Sequence, residues 1–280
     1  MTSDRPSAPV GIFDSGVGGL SVMREIRRML PAERLLYIAD SAHVPYGNKS
    51  AEFIQQRSHL LTDFLLQQGC KAIVIACNTA TVAAAATLRT AHPALPIIGM
   101  EPAVKPAVAA TRCGAVGVLA TVGTLQSAQF AGLLDKFATN VRVVTQPAPG
   151  LVECVEAGDL QSPNTRALVA QFVQPLVDAG VDVIVLGCTH YPFLRELIQE
   201  IAGPGITLID TGAAVARQLA KRLSAANLLK EGDAGHEAFY TTGPLTAAQR
   251  TLAVLWPGSH VVSALPEAEA LYDFLKAPPP

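Results

Sequence analysis

Short apolar segments alternate with amphipathic segments along most of this chain of 280 residues. Segments such as 72–76 and 181–187 are apolar at nearly every position, which is typical of strands covered on both faces. The alternation predicts βα units and mainly parallel sheets. The predicted strands are 9–14, 35–39, 72–76, 97–99, 115–120, 141–144, 181–187, 206–209 and 260–263. The predicted helices include 20–29, 51–68, 81–90, 102–111, 127–137 and 165–179.

Two motifs occur twice, in the same order and with similar spacing. AIVIACNTA around Cys77 is similar to VIVLGCTHY around Cys188, 111 residues later. GIFDSGVGG, which begins at Gly11, is similar to GVLATVGT, which begins at Gly117, 106 residues later. Apolar strands resemble one another by chance, so a coincidence is the alternative. The paired spacing predicts an α/β fold with two pseudo-symmetric lobes and the active site in the cleft between them.

Charge and hydropathy exclude several classes of protein. With 21 Lys and Arg against 23 Asp and Glu, the net charge is −2, which argues against nucleic acid or an anionic membrane as a partner. The mean hydropathy of +0.32 argues against disorder. The uncharged stretch 113–134 has the length of a membrane span, but its glycines and polar residues favour a buried strand followed by a helix. The N-terminal segment lacks the pattern of a secretory signal, so the expected location is the cytoplasm.

The five cysteines have no spacing typical of a disulfide framework or a zinc site, so neither is expected. Cys70, Cys113 and Cys154 are interpreted as packing residues. Cys77 and Cys188 each follow a predicted strand at the start of a helix, where the helix dipole is expected to lower the pKa of a thiol. Two such thiols on facing lobes would lie on opposite sides of one ligand. This arrangement suits the removal of a proton from one face of a carbon and its return to the other.

Polar clusters follow several of the predicted strands. Ligands of parallel α/β folds bind at this edge of the sheet, against the N-termini of helices. The alternative for each cluster is an ordinary helix cap or turn. For His190 the alternative is a contact at a helix start, and for Glu156, in GLVECVEAG, it is a solvated helix face. The clusters include Asp14-Ser15-Gly16, Asp40-Ser41, Pro45-Tyr46-Gly47-Asn48, Cys77-Asn78-Thr79, Thr121 with Gly123-Thr124, and Cys188-Thr189-His190.

Two hypotheses about a bound cofactor, a dinucleotide or pyridoxal phosphate, have little support in the sequence. GIFDSGVGGL with Asp40 downstream imitates a dinucleotide-binding fingerprint, but Ser21 stands where the third glycine is required. Asp14 would also repel a pyrophosphate. Pyridoxal phosphate needs a lysine for its Schiff base, and Lys49 is the one candidate that stays open.

Six segments together resemble the glutamate racemases of the cofactor-independent aspartate/glutamate racemase superfamily. They are FDSGVGGLSV, YIADSAHVPYG, IVIACNTAT, LATVGTLQS, LGCTHYPFL and LIDTGAAVA, and they cover roughly residues 10–219. The resemblance implies an isomerase that interconverts L- and D-glutamate and supplies D-glutamate for peptidoglycan, and hence for cell-wall biogenesis and cell shape. It implies no metal, no pyridoxal phosphate and no nucleotide.

The resemblance also implies roles for particular residues. Cys77 would deprotonate D-glutamate and Cys188 would deprotonate L-glutamate. The implied auxiliary acid/base groups are Asp14, Asp40, Glu156 and His190. The implied substrate contacts are Asp14, Ser15, Tyr46, Gly47, Asn78, Thr79, Thr121, Thr189 and His190. Ala148-Pro149 stands where many relatives have a cysteine before the proline, which makes the alignment around Glu156 less secure.

The sequence and the resemblance also predict the division into lobes and the binding partners. Residues 1–99 and 210–280 are expected to form the first lobe, and residues 100–209 the second. Members of the resembled family are often dimers, so the expected partners are glutamate and a second copy of this chain. A racemase for another small amino acid, such as aspartate, is the nearest alternative function. A non-catalytic binder of dicarboxylates or of a nucleotide is the alternative from another class.

Overall fold

The computed structural model describes residues 5–265, and the strands of this range form two parallel sheets. In chain order the strands are β1 (Val10–Asp14), β2 (Leu35–Ala39), β3 (Ala72–Ile75), β4 (Ile97–Ile98), β5 (Ala115–Ala120), β6 (Arg142–Pro147), β7 (Val183–Gly187), β8 (Thr207–Ile209), β9 (Glu237–Thr241) and β10 (Val262–Ala264). The first sheet has the order β10-β9-β2-β1-β3-β4, and the second has the order β6-β5-β7-β8.

Helices fill the connections between the strands. They are α1 (Leu20–Met29), α2 (Ala51–Gln67), α3 (Asn78–Ala91), α4 (Val104–Ala110), α5 (Val122–Leu125), α6 (Ala128–Phe137), α7 (Leu151–Glu156), α8 (Pro163–Asp178), α9 (Arg195–Ala202), α10 (Gly212–Ala225) and α11 (Leu245–Leu255). Short 3-10 helices span Arg5–Ser7, Tyr46–Asn48 and Tyr191–Leu194.

The two sheets share one internal order. The run β2-β1-β3-β4 in the first sheet has the same arrangement as β6-β5-β7-β8 in the second, with parallel pairing throughout. Cys77 follows β3 and Cys188 follows β7, so the two thiols stand at equivalent places. The expected α/β fold with two related lobes and parallel sheets is therefore confirmed. The exact lobe boundaries stay a prediction, which the division of strands between the sheets supports.

Helices cover both faces of each sheet. In the first lobe α1 packs against α10 and α2 against α3, and in the second α8 packs against α9 and α4 against α6. The central strands β1, β2, β3, β5 and β7 are consequently buried along their whole length. One continuous cluster of buried apolar side chains includes residues of both sheets, for example Ile12 and Ile184. Burial of this apolar surface is the main favourable contribution to folding.

The uncharged stretch 113–134 folds as predicted, because it contains β5 followed by α5 and α6. Within residues 5–265 no helix has both the length and the apolar character needed to cross a bilayer.

Most predicted strands agree with the structure to within a few residues, but β9 was not predicted. Its sequence, Glu237–Thr241, mixes charged, aromatic and hydroxyl side chains, and only two of its five residues are buried. It pairs with β2 on one side and with β10 on the other. Because its partners are remote in sequence, the local pattern carries little information about this strand. Five helices also have no counterpart among the predicted ones named above, namely α5, α7, α9, α10 and α11.

Candidate active site

A small cavity lies between the carboxyl ends of the two sheets. Its volume is about 20 Å³, which is room for about one water molecule. The residues that line it come from the ends of β1, β3, β5 and β7, from the turn before α2, and from helices α3, α5 and α7. They are Ser15, Pro45, Tyr46, Gly47, Cys77, Asn78, Thr79, Thr121, Thr124, Val152, Gly187, Cys188, Thr189 and His190. The sequence motifs that predicted a ligand site thus meet at one place.

Cys77 is the N-cap residue of α3, and its Sγ accepts a hydrogen bond from the backbone N–H of Ala80 at 3.4 Å. Its Sγ also lies 4.0 Å from Oγ of Ser15. Burial raises the pKa of the Cys77 thiol well above its ordinary value, and the charge of Asp14 raises it further. The N–H of Ala80 lowers this pKa but does not compensate. The helix N-terminus thus acts in the expected direction, but desolvation outweighs it, so the pKa of Cys77 is raised rather than lowered.

Asp14 is buried at the end of β1 and does not line the cavity directly. Its Oδ1 accepts from the backbone N–H of Ser15 at 2.7 Å, and its Oδ2 accepts from that of Gly19 at 2.6 Å. The hydroxyl of Thr189, from the other lobe, donates to Oδ2 at 3.1 Å. Burial raises the pKa of Asp14, while the charge of His190 lowers it to a smaller extent. The carboxyl group therefore contacts both lobes beside the first thiol.

The second thiol belongs to a chain of three side chains. Sγ of Cys188 lies 3.6 Å from Nδ1 of His190, and Nε2 of His190 lies 2.7 Å from Oε1 of Glu156. Burial lowers the pKa of His190, but its hydrogen bonds with Cys188 and Glu156 and their charges raise it well above its ordinary value. An imidazolium is therefore favoured beside this thiol, whereas Cys77 has a carboxyl neighbour. The interpretation of Glu156 as part of a solvated helix face is wrong, because its carboxylate contacts Nε2 of His190 and is the third member of this series of side chains.

Glu156 also joins the two lobes. The backbone N–H of Val17 donates to its Oε1 at 2.7 Å, across the cleft from α7 to the loop after β1. The loop approaches closely because it contains glycines: a Cβ at Gly16 would overlap the Glu156 carboxylate, and one at Gly18 would overlap the His190 ring. The position of Glu156 therefore depends on both lobes.

The same loop bears on the dinucleotide hypothesis. The backbone N–H groups that a pyrophosphate would need are those of Val17 and Gly19, and both already donate to carboxylates of this protein. The side chains of Glu156 and His190 fill the space beside Gly16 and Gly18. The residues present therefore do not fit a nucleotide in this loop.

Hydroxyl and amide groups form the remaining polar wall. Oγ1 of Thr79 lies 3.3 Å from Oγ1 of Thr121 and 3.4 Å from Oγ1 of Thr124, which joins α3 to α5. Nδ2 of Asn78 donates to the carbonyl of Gly187 at 3.1 Å, while its buried Oδ1 has no hydrogen-bond partner within residues 5–265. These donors and acceptors add to the Ser15, Thr189 and His190 side chains that also line the cavity.

Asp40 lies behind the cavity rather than in its wall. Its carboxylate accepts two hydrogen bonds from Arg57, at 2.7 and 3.0 Å, and one from the hydroxyl of Tyr46 at 2.5 Å. Burial acts to raise the pKa of Asp40, but the hydrogen bonds and charge of Arg57 and the hydroxyl of Tyr46 outweigh it and lower the pKa. The structure therefore does not bring Asp40 to either thiol, and its acid/base role stays a prediction.

Sequence reasoning missed two residues of this region. Arg57 is in the middle of α2 and pairs with Asp40, although no motif surrounds it. Val152 lines the cavity from α7. Nothing in the local pattern distinguished these two, whereas Thr124, which lines the cavity from α5, was already part of a predicted polar cluster.

Among the other cysteines, Cys70 is buried and Cys154 is half-buried, but Cys113 is exposed. The interpretation as a packing residue is therefore wrong for Cys113, which follows α4 in a turn at the surface. Within residues 5–265 no group of three or more His, Cys, Asp or Glu side chains is arranged to hold a metal ion.

Comparison with known proteins identifies relatives over almost the whole chain. Residues 10–219 match the family model described as Asp/Glu/Hydantoin racemase. A glutamate racemase of Pseudomonas entomophila is 58% identical over 260 residues, which cover 93% of this chain and 98% of that protein. A glutamate racemase of Ectopseudomonas mendocina is 60% identical over 252 residues, covering 90% of this chain and 96% of the relative.

Solved structures of glutamate racemases also superpose on this chain. A crystal structure of a glutamate racemase isoform from Bacillus anthracis superposes with a TM-score of 0.84 at 33% identity, covering 93% of this chain and 98% of that one. The Escherichia coli glutamate racemase, solved with L-glutamate and the activator UDP-MurNAc-ala, superposes with a TM-score of 0.82 at 34% identity. That comparison covers 92% of this chain and 98% of the other. With two thiols at equivalent strand ends and relatives of this kind, the chain belongs to the Asp/Glu/Hydantoin racemase family.

Proposed function

We propose that this protein is a glutamate racemase that moves the α-proton between two cysteines. The observation that carries the proposal is the meeting of Cys77 and Cys188, from equivalent positions in two related sheets, in the wall of one cavity. The similarity to glutamate racemases over nearly the whole chain supports glutamate as the substrate. The product D-glutamate would serve peptidoglycan synthesis, as the resemblance implies.

The reaction from L-glutamate begins at Cys188. Its thiolate removes the α-proton, the C–H electron pair stays on the α-carbon as a carbanion, and the thiol of Cys77 donates a proton to the opposite face. Cys77 is then the thiolate and Cys188 the thiol, so the reverse reaction begins from D-glutamate.

The neighbours of the thiols support this assignment of roles. Burial and the Asp14 charge raise the pKa of Cys77, which favours the thiol that donates a proton to the carbanion formed from L-glutamate. His190, held by Glu156, lies 3.6 Å from Sγ of Cys188, so its imidazole is the group that can hydrogen-bond to this sulfur. The two thiols therefore have different neighbours, a carboxyl group acting on Cys77 and an imidazole beside Cys188.

The polar wall supports binding of both carboxylates and the ammonium group. The hydroxyl of Thr79 and the N-termini of helices can donate to carboxylate oxygens, whereas the hydroxyls of Ser15 and Thr189 donate to Asp14 in this structure and would have to change partner. The unpartnered Oδ1 of Asn78 can accept from the ammonium group. Donors placed around the developing carbanion lower the barrier to loss of a weakly acidic α-proton.

Binding requires the lobes to separate, because a cavity of about 20 Å³ is too small for glutamate. Closure then excludes water, which would otherwise compete for the carbanion and the thiolate. The hydrogen bonds of Glu156 with Val17 and of Thr189 with Asp14 cross the cleft and would re-form on closure.

Incubation of the purified protein with single amino acids in D₂O tests the function. We expect L-glutamate to lose its α-proton signal in ¹H NMR and to lose its optical activity in parallel, without any added cofactor. L-Aspartate should show neither change under the same conditions. Exchange and inversion of aspartate but not of glutamate would contradict the proposal and favour the nearest alternative.

We also propose that the protein is located in the cytoplasm and forms a homodimer. Both come from the sequence pattern and the family resemblance. Sedimentation equilibrium tests the assembly, and we expect a mass of twice 29.3 kDa. A mass of 29.3 kDa at all concentrations would contradict the dimer.

A further inference from the structure

The buried carboxylate of Asp40 joins three separate segments of the first lobe: the loop after β2, helix α2 and the end of β9. Besides Arg57 from α2 and Tyr46 from the 3-10 turn, Nδ1 of His43 lies 3.0 Å from its Oδ1. The hydroxyl of Thr242, just after β9, donates to the same Oδ1 at 2.8 Å. We call these five residues the Asp40 cluster.

One member of the Asp40 cluster lines the cavity itself. Tyr46 is buried and stands between Pro45 and Gly47, which also line the cavity. Because the Tyr46 hydroxyl donates to Asp40 at 2.5 Å, its proton is not available for a substrate carboxylate. The tyrosine therefore contributes its ring and the position of its backbone, and the cluster determines both.

The same turn contacts the second lobe. A Cβ at Gly47 would lie 3.2 Å from Cβ of Thr121, and a Cβ at Gly123 would lie 3.1 Å from the carbonyl oxygen of Gly47. The turn thus lies close against α5 when the cleft is closed. A displacement of Tyr46–Asn48 would change both the cavity wall and the contact between the lobes.

Arg57 is the group that keeps the Asp40 carboxylate ionised in this position. A buried carboxylate is costly unless it is paired and hydrogen-bonded. Arg57 provides a permanent charge and two hydrogen bonds, whereas His43 is charged only when protonated. Without Arg57, the Asp40 carboxylate would lose its strongest partner and with it the geometry that Tyr46 depends on.

We propose that Arg57 is a positioning residue for glutamate, which acts through Asp40 to hold the Tyr46–Asn48 turn against the cavity and the second lobe. Asp40 then serves as a fixed acceptor rather than as a proton donor to a thiol. The inference rests on the proposed function, since it names a residue that makes the same site competent to bind.

Steady-state kinetics of Arg57→Met, Tyr46→Phe and the double variant test this chain of contacts. Each single variant should raise KM for glutamate about tenfold or more, with a smaller change in kcat, because a hydrogen bond to a charged group is lost. The double variant should have a KM no higher than that of the more impaired single variant, because both substitutions interrupt the same series of hydrogen bonds from Arg57 through Asp40 to Tyr46. Arg57→Lys, which keeps the charge, should recover part of the loss.

Lys71→Met is the matched control. Lys71 lies just before β3, at the sheet edge opposite the cavity, and its Nζ lies 2.6 Å from a buried Glu33 carboxylate. This substitution also removes a cation from a buried ion pair, so it should lower the melting temperature without changing KM. An unchanged KM in Arg57→Met would overturn the proposal. So would a double variant whose increase in KM equals the product of the increases in the two single variants. If Arg57→Met does not fold, Arg57→Lys and Tyr46→Phe provide the same comparison.

Hydrogen exchange measured by mass spectrometry separates this inference from the proposed function. In the absence of substrate, Arg57→Met should speed amide exchange in residues 44–49, whereas Lys71→Met should not. A wild-type protein that does not racemise glutamate would refute the proposed function, and the exchange result would then decide the role of Arg57 alone. Equal exchange of residues 44–49 in wild type and Arg57→Met would refute that role even in an active racemase.

Discussion

Cys77 and Cys188 stand at equivalent strand ends, but their neighbours carry opposite charge. Asp14 acts on Cys77, while His190, supported by Glu156, lies 3.6 Å from Cys188. At the residue scale the pseudo-symmetry of the fold is therefore broken. The difference matters because a two-base mechanism needs one thiolate and one thiol at the start of each turnover.

Loss of either thiol should abolish racemisation. We expect Cys77→Ala and Cys188→Ala each to reduce kcat for glutamate by about 10²–10⁴-fold, the usual contribution of a positioned acid or base. Circular dichroism of the reaction mixture measures the loss, and melting curves check the fold. Cys70→Ala, which removes a buried thiol at the other end of β3, is the control and should keep its activity. Near-normal racemisation by either single variant would refute the two-thiol mechanism.

The raised pKa of His190 predicts a pH-dependent contribution to stability. A histidine whose folded-state pKa exceeds its unfolded value stabilises the fold fully below about pH 6.5, and this contribution is lost as pH rises through the folded-state pKa. The difference in the free energy of unfolding between wild type and His190→Gln should therefore be largest below pH 6.5 and shrink at alkaline pH. Urea denaturation at a series of pH values measures it, with His59→Gln, outside the cavity, as the control. A difference that grows with pH would contradict the assigned direction.

At the scale of elements, the glycine loop between β1 and α1 lets the two lobes approach. A side chain at Gly18 would overlap the His190 ring, which itself contacts Cys188. The loop also supplies backbone N–H groups to Asp14 and Glu156. One short connection thus positions groups that act on both thiols.

Gly18→Ala should therefore impair catalysis more than stability. The added methyl group must displace His190, so we expect kcat/KM for L-glutamate to fall about 100-fold, as for other misplaced catalytic groups. Overpacking should also cost about 1–3 kcal/mol of stability. Gly132→Ala in α6 is the control, because a Cβ there meets nothing within 4 Å and should stabilise the helix by about 0.5–1 kcal/mol. Full activity in Gly18→Ala would contradict the prediction, because the loop would then accommodate a methyl group without displacing His190.

For the whole molecule, the cavity wall is shared between two sheets, and the cavity has a volume of about 20 Å³. Hydrogen bonds that cross the cleft come from Glu156, Thr189 and Asn78. The proposed function requires that opening break these bonds and that closure around glutamate restore them. It therefore predicts that catalysis is coupled to a motion of one lobe relative to the other.

Glutamate should protect segments of both lobes from hydrogen exchange. We expect slower amide exchange in Tyr46–Asn48 of the first lobe and in Val122–Leu125 of the second when glutamate is added. At a concentration of about 100 times Kd, the ligand should also stabilise the protein by about 2.7 kcal/mol. L-Lysine, which lacks the second carboxylate, is the control ligand and should give neither effect. Protection confined to one lobe would contradict a site built from both.

The βα alternation, the two-lobed parallel architecture and the two thiols were predictable from the sequence, because each strand, its turn and its N-cap residue are close neighbours in the chain and the motifs repeat with similar spacing. The pairing of Arg57 with Asp40, the contacts of Glu156 with His190 and Val17, and the place of β9 in the first sheet depend on the tertiary structure. It also reversed the expected pKa direction of Cys77, because desolvation depends on how completely the surrounding chain buries a group and not on its own helix. Contacts between residues remote in sequence leave no local pattern, whereas the chemistry of a strand end does.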